Sequence, residues 1–316
     1  MSTACSLITR GIDDERTFVR ADYESARARW CPGCGDHAVL AATQKLLAGE
    51  QLTPERTVFV SGIGCSSRFP HYVKTYGFHG LHGRALPVAT GIKLHRPDLD
   101  VFVVMGDGDC CSIGAAHWIH AVRYNVKMVA LLLDNNIYAL TKKQTSPTSP
   151  KGLPSNTQPQ GSYLPALNPL TVALGVTNAS FVAQTAEWSP PHLEATLRAA
   201  FAHPGFAFVR ILQRCPIYMP DRFTDAVTDR SLVELLEHAQ GVEVPQLAAA
   251  YTERRVHDPS DLHAARRLAE DLQPIRLGVF YRDASKPRYE ETRRRPQRTA
   301  DEKIALLGQE LDRYAV

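Results

Sequence analysis

The residues best suited to chemistry lie between Val101 and Pro150, in the run VFVVMGDGDCCSIGAAHWIHAVRYNVKMVALLLDNNIYALTKKQTSPTSP. Asp107 is a hard oxygen donor between Gly106 and Gly108, and the side-chain carbonyl of Asn135 follows 28 positions later. Mg²⁺ keeps few protein ligands and shares the oxygens of a bound phosphate, so one carboxylate and one amide suit a magnesium diphosphate. The two glycines let a backbone approach a bulky anion, and a helix start beyond them offers free N–H groups. A lone Gly-Asp-Gly is an ordinary turn. Its weight here comes from sitting at a strand end, with the Asn-Asn turn one strand later. Gly106, Gly108 and Gly114 do not match the G-x-G-x-x-G of a dinucleotide site.

Sulfur forms the second chemical set. Cysteines stand at positions 5, 31, 34, 65, 110, 111 and 215. In a chain without a leader-like start they make a poor disulfide framework. Cys31-Pro32-Gly33-Cys34 places two on a tight turn, which leaves thiol–disulfide exchange, structural zinc or half of an iron–sulfur site open. Exchange of the thioredoxin type puts the pair just after a strand, and nothing before Trp30 resembles one. Zinc and iron–sulfur each need two further ligands, and four thiolates can hold either. Cys65 and Cys215 are the candidates. Cys5, Cys110 and Cys111 read as small buried hydrophobes.

Buried strands would have to hold these groups. Val101–Met105 and Met128–Leu133 are continuous apolar runs, as in a parallel sheet covered on both faces. Between them Ala115, Trp118, Ile119 and Val122 keep helical spacing. Thr57–Ser61 is a further strand, followed by Gly62-Ile63-Gly64-Cys65-Ser66-Ser67, and Phe206–Leu212 is another, followed by Cys215-Pro216. Cys65 and the Gly-Asp-Gly-Asp turn therefore share one sheet edge, where ligands bind in open α/β folds. Asp36 is expected to cap a helix carrying Val39, Leu40 and Leu47 inward. Another helix, with Val88 and Ile92 inward, follows His82-Gly83-Arg84-Ala85. Ala179–Ala183 reads as a strand, and Pro169–Leu174 and His192–Ala202 as helices. Residues 151–165 are a Pro/Gly/Ser-rich loop. Past Pro220, Leu232–Glu237, His263–Leu272 and Asp301–Tyr314 read as helical, while Tyr281–Ala300 holds seven basic against three acidic residues, as on a solvated face. The expected fold class is α/β, a mostly parallel sheet with helices on both faces. It has three parts: an N-terminal arm 1–29, a site-bearing domain 30–220 and a C-terminal helical extension 221–316.

An apolar content of 44% and a charged content of 22% over 316 residues allow a sizeable core. A net charge of +3 gives no field for nucleic acid or a membrane surface. No apolar run approaches the ~18 residues of a membrane span, and a cytoplasmic location is expected.

WCPGCG, SGIGCSS, HGRALPVATGIKL, GDGD, DNNIYALTKKQTSPTSP and a final Cys-Pro, in this order, resemble the β subunit of 2-oxoacid:ferredoxin oxidoreductases, above all the branch acting on 2-oxoglutarate. The resemblance implies the thiamine diphosphate (ThDP)-binding fold, with Mg²⁺ and one 4Fe-4S cluster. It assigns the cluster to Cys31, Cys34, Cys65 and Cys215. Mg²⁺ falls to the side chains of Asp107 and Asn135 and the carbonyl of Ile137. ThDP contacts fall to Ile63, Gly64, Cys65 and Ser66, with Gly108 and Asp109 at the diphosphate. The implied reaction is reversible oxidative decarboxylation coupled to coenzyme A, with electrons leaving through ferredoxin. Only the diphosphate half of a ThDP site is legible, so an α subunit in an α₂β₂ assembly is expected. Arg68, His82, Leu140 and Lys142 are the expected substrate-pocket residues, with Lys142 favouring 2-oxoglutarate over pyruvate. A pyruvate or broad 2-oxoacid enzyme, a non-oxidative ThDP enzyme, and a non-catalytic iron–sulfur or zinc module are the alternatives.

Overall fold

The computed structural model describes residues 16–314, apart from 239–241, 243, 248–249 and 294–297. Cys5, the start of the arm and part of the basic stretch lie outside the described residues. The described strands are β1 Thr57–Ser61, β2 Tyr76–His79, β3 Asp100–Gly106, β4 Met128–Asp134, β5 Phe181–Ala186, β6 Phe206–Leu212, β7 Val233–Glu237, β8 Arg254–Val256 and β9 Ile275–Arg282. They form one sheet in the order β2-β1-β3-β4-β6-β5-β9-β7-β8. Every pairing is parallel except β5 with β9.

Helices α1 Asp36–Gly49, α2 Ala85–His95, α3 Ala115–Tyr124, α4 Pro169–Gly175, α5 Pro190–Ala202, α6 Thr224–Thr228 and α7 Leu262–Glu270 accompany it. Successive side chains of a strand point to opposite faces, and β3 shows the result. Val101, Val103 and Met105 pack with Trp118 of α3 and Phe208, whereas Phe102 and Val104 pack with Leu47 of α1 and Leu197 of α5. Both faces are buried, which is why these strands read as unbroken apolar runs. The arm is tied down by Tyr23, fully buried, whose hydroxyl donates to the Leu52 carbonyl at 2.7 Å.

Three expectations change. Leu232–Glu237, read as helical, is mostly strand β7: Val233, Leu235 and Leu236 are buried, and Glu234 is buried because Arg276 of β9 donates to it at 2.8 Å. The C-terminal extension is therefore not simply helical, since β7, β8 and β9 widen the same sheet. Asp36 is the first residue of α1 and not its cap; Gly35 holds that position, and the Asp36 carboxylate is buried beside Cys34. Before α3 the chain makes a π-helical turn over Asp109–Ile113, which turns the Asp109 side chain into the protein.

Candidate functional site

The C-terminal ends of β1, β3, β4 and β6 lie on one edge because these strands run parallel. The loops after β1, β3 and β4 enclose a cleft of about 300 Å³. Ile63, Gly64, Cys65 and Ser66 line it from the first loop, Asp107, Gly108 and Asp109 from the second, and Asn135, Ile137 and Leu140 from the third. His82 closes one side, with Tyr138, Thr141 and Gln144 beside Leu140.

Asp107 is 2% exposed, and its Oδ2 accepts from Ser146 Oγ at 2.5 Å and Thr148 Oγ1 at 2.7 Å. The Thr148 hydroxyl also lies 2.8 Å from Asp134 Oδ1. One hydroxyl proton serves both carboxylates, so negative charge is crowded there. Burial, and then the Asp134 charge, pushes the Asp107 carboxyl up to about 7. Asp134 has its own cation, Arg210, at 2.6 Å. Asp107 has none among the described salt bridges, and a divalent cation in the cleft would supply it. Asn135 is oriented by accepting the Ile137 N–H at 3.1 Å, a local Asx turn that holds its side-chain oxygen in place. The donor set fits Mg²⁺.

Asp109 does different work. Its Oδ1 accepts from the Ile63 N–H at 3.2 Å and the Gly83 N–H at 2.7 Å, and lies 2.5 Å from His82 Nδ1. It clasps the β1 loop to the start of α2. Gly62 is required there, because a Cβ on it would sit 2.1 Å from Asp109 Oδ2. Asp109 also fixes the His82 ring: with Nδ1 engaged by a carboxylate, Nε2 is the free nitrogen. Gly108 has a comparable reason. The Tyr138 ring packs where its Cβ would be, 2.1 Å away, and the Tyr138 hydroxyl donates to the Gly108 carbonyl at 3.0 Å. The room that glycine leaves at this turn is taken by the Tyr138 ring, which packs the third loop against the second.

The thiols gather behind the first loop. Cys34 N–H donates to the Cys31 carbonyl at 3.1 Å, Gly35 N–H to the Arg214 carbonyl at 3.2 Å, and Trp30 Nε1–H to the Cys65 carbonyl at 2.7 Å. These bonds tie the Cys-Pro-Gly-Cys turn to the residue before Cys215 and to Cys65. Burial pushes the Cys34 thiol far up, with Asp36 and Cys65 adding to it. The Cys65 thiol is pushed up to about 12 by burial, then by Asp36, Cys215 and Cys31, with Arg68 opposing. The four thiols are thus electrostatic neighbours, although no three His, Cys, Asp or Glu among the described residues form a single-ion cage. Asp36 Oδ1 is buried without a hydrogen-bond partner. Thiols packed this way need positive charge to ionise, and an iron–sulfur core would provide it.

Arg68 and Lys142 do not line the cleft. Arg68 lies over the Tyr72 ring at 5.8 Å. Lys142 is exposed with φ +70° on a turn closed by its N–H donating to the Ala139 carbonyl at 3.0 Å. The sequence reasoning gave no role to Ser146 and Thr148. The repeated hydroxyls of Thr145-Ser146-Pro147-Thr148-Ser149 were the available signal. Tyr138, Thr141 and Gln144 carried none beyond their place in the loop.

Comparison with known proteins gives the family. Residues 62–211 match the thiamine pyrophosphate enzyme, C-terminal TPP binding domain, and residues 248–297 match the C-terminal part of the pyruvate ferredoxin oxidoreductase β chain. The chain is 42% identical to the 2-oxoglutarate oxidoreductase subunit KorB of Mycobacterium tuberculosis, over 84% of this chain and 78% of that one. It is 38% identical to the 2-oxoacid:ferredoxin oxidoreductase 1, subunit beta, of Aeropyrum pernix, over 95% and 90%. A solved 2-oxoglutarate:ferredoxin oxidoreductase from Magnetococcus marinus, with 2-oxoglutarate, coenzyme A and succinyl-CoA bound, aligns with TM-score 0.77 and 35% identity, covering 95% of this chain and 93% of its own. Relatives of this likeness along most of its length, on a mostly parallel sheet, place the chain in the family of 2-oxoacid:ferredoxin oxidoreductase β subunits.

Proposed function

We propose that this chain is the ThDP-binding β subunit of an enzyme converting 2-oxoglutarate and coenzyme A to succinyl-CoA and CO₂, with two electrons delivered singly to ferredoxin, and running in reverse when ferredoxin is sufficiently reducing. The observation that carries it is the loop Ile63–Ser66, which lines the cofactor cleft while its Cys65 belongs to the four-thiol group behind. When bound, ThDP supplies a carbon nucleophile and an electron sink, and a 4Fe-4S cluster supplies a one-electron acceptor.

Asp107, Asn135 and the Ile137 carbonyl would hold Mg²⁺, with Ser146 and Thr148 aiming the Asp107 carboxylate. Asp109 keeps the β1 loop and His82 in register with the diphosphate turn. His82 Nε2 is placed to take or return a proton at the cleft. Cys31, Cys34, Cys65 and Cys215 would hold the cluster. The partner α subunit would complete the cleft with the pyrimidine side.

The choice of 2-oxoglutarate over pyruvate rests on the substrate for which the relatives are named and on the loop Leu140–Gln144. Leu140 lines the cleft; Lys142, exposed on the turn two residues on and outside the cleft lining, is the cation proposed to meet a second carboxylate at the mouth, and Arg68 adds positive charge near Cys65. Anaerobic turnover by the enzyme purified with its partner, comparing the two acids with ferredoxin as acceptor, tests the reading. Preference for pyruvate would reverse the substrate assignment. Lys142→Gly is expected to raise KM for 2-oxoglutarate about tenfold and for pyruvate little; equal effects would remove Lys142 from substrate recognition.

A further inference from the structure

We infer that Gln213 tunes the reduction potential of the proposed cluster by donating a hydrogen bond to the sulfur of Cys34, an inference that rests on the cysteine assignment above. Gln213 directly follows β6, two residues before Cys215, and is 1% exposed. Its backbone N–H donates to the Asp134 carbonyl at 3.1 Å, which fixes it to the end of β4 beside Asn135. Its side-chain Nε2 lies 2.9 Å from the Arg214 carbonyl and 3.2 Å from Cys34 Sγ.

The carbonyl contact decides which end of the amide is nitrogen, since a carbonyl oxygen can only accept. The second N–H therefore faces the sulfur. The side chain has little freedom to leave. A Cβ on Gly35 would come within 2.8 Å of Gln213 Cγ and 2.6 Å of Glu187 Cγ, so only glycine at 35 leaves room for the amide beside Cys34. Glu187 is held in turn by Arg214 at 2.5 Å.

A buried amide in this position matters for electron transfer. Thiolate sulfur carries part of the negative charge of the cluster, and reduction adds one more unit. A neutral donor aimed at that sulfur stabilises the more negative state, so it favours reduction; such bonds to sulfur are among the determinants of iron–sulfur potentials. Gln213 does not touch the reacting carbon and acts through Cys34. It also spans the two halves of the site, from the Asp134 carbonyl on the cofactor side to the Cys34 sulfur.

The test uses the enzyme purified anaerobically with its partner subunit, wild type and Gln213→Leu, each titrated with a soluble reductant while the cluster is followed by its visible absorption and electron paramagnetic resonance. Gln213→Leu is expected to retain the cluster and to be about tenfold harder to reduce, which is ~59 mV to the negative side for one electron. Equal midpoints in two loaded proteins would overturn the tuning role and leave the cysteine assignment intact. A wild-type protein without a cluster would overturn the cysteine assignment itself. If Gln213→Leu fails to load, Gln213→Glu keeps the shape and turns an oxygen toward the sulfur, and a midpoint still more negative is expected. Failure of both variants to load would make Gln213 a structural residue and overturn the inference.

Discussion

The cofactor cleft and the thiol group share the loop Ile63–Ser66, whose Cys65 belongs to both, and their charged groups are held differently. The cleft is lined largely by apolar residues such as Ile63, Ile137 and Leu140, and its two carboxylates are held by hydroxyls and backbone N–H groups: Ser146 and Thr148 on Asp107, Ile63 and Gly83 on Asp109. Cys65 and Cys215 are packed among the apolar Ile137, Ala139 and Met219, while Cys34 has Gln213 Nε2 at 3.2 Å and Asp36 Oδ2 at 3.5 Å. The cleft is preorganised as an anionic seat awaiting a cation. Among the thiols, burial pushes Cys34 and Cys65 up and favours their neutral form, so the charge that ionises them must come from what binds. The cleft carries its acids ready-made, and Cys34 and Cys65 acquire charge on loading.

If the two sides are separable, single substitutions should empty one and spare the other. Asp107→Ala is expected to weaken Mg²⁺–ThDP binding about 100-fold or more while iron content and the visible spectrum hold. Cys215→Ser should bleach the spectrum and leave ThDP affinity, read by calorimetry, nearly unchanged. A variant losing both would break the separation. Gly62→Ala comes next. Its methyl would press on Asp109 at the junction, costing about 1–3 kcal/mol in thermal unfolding and loosening ThDP with little change in iron content. Thr148→Val is smaller, lowering Mg²⁺ affinity about tenfold by removing the hydroxyl that aims Asp107. Iron retention across these variants sharpens the contrast.

The smallest effect lies outside both pockets. His192 and His203 are buried, and desolvation lowers them to about 3 and about 4, helped in turn by His238 and Arg282. The unfolded chain then binds more protons than the folded one, so stability falls as pH drops below about 6.5 toward those values. The melting temperature is expected to decline across that window, and His203→Asn to flatten the decline. An unchanged slope would show that His203 is protonated normally in the fold.

Legibility in the sequence followed burial symmetry. β1, β3, β4 and β6 are buried on both faces, and an unbroken apolar run has few other interpretations. β7 was harder, because Val-Glu-Leu-Leu-Glu presents apolar residues at helical as well as extended spacing. Its buried Glu234 makes sense only opposite Arg276, some forty residues away in sequence. β9 hid for the same reason, with a buried arginine resembling a surface charge. Within the site, the types and spacing of Asp107, Asn135 and the cysteines were visible. The inward turn of Asp109 was not, because its partners Ile63 and Gly83 lie on loops that meet it only after folding.

The rim of the sheet has a practical consequence. β2 exposes all four of its residues, with Tyr76 at 63% and Phe78 at 48%, and pairs with β1 on one side only among the described strands. An outer strand of this composition is a template for other extended chains. For the chain produced by itself, Tyr76→Lys is therefore expected to raise the concentration at which it stays monodisperse.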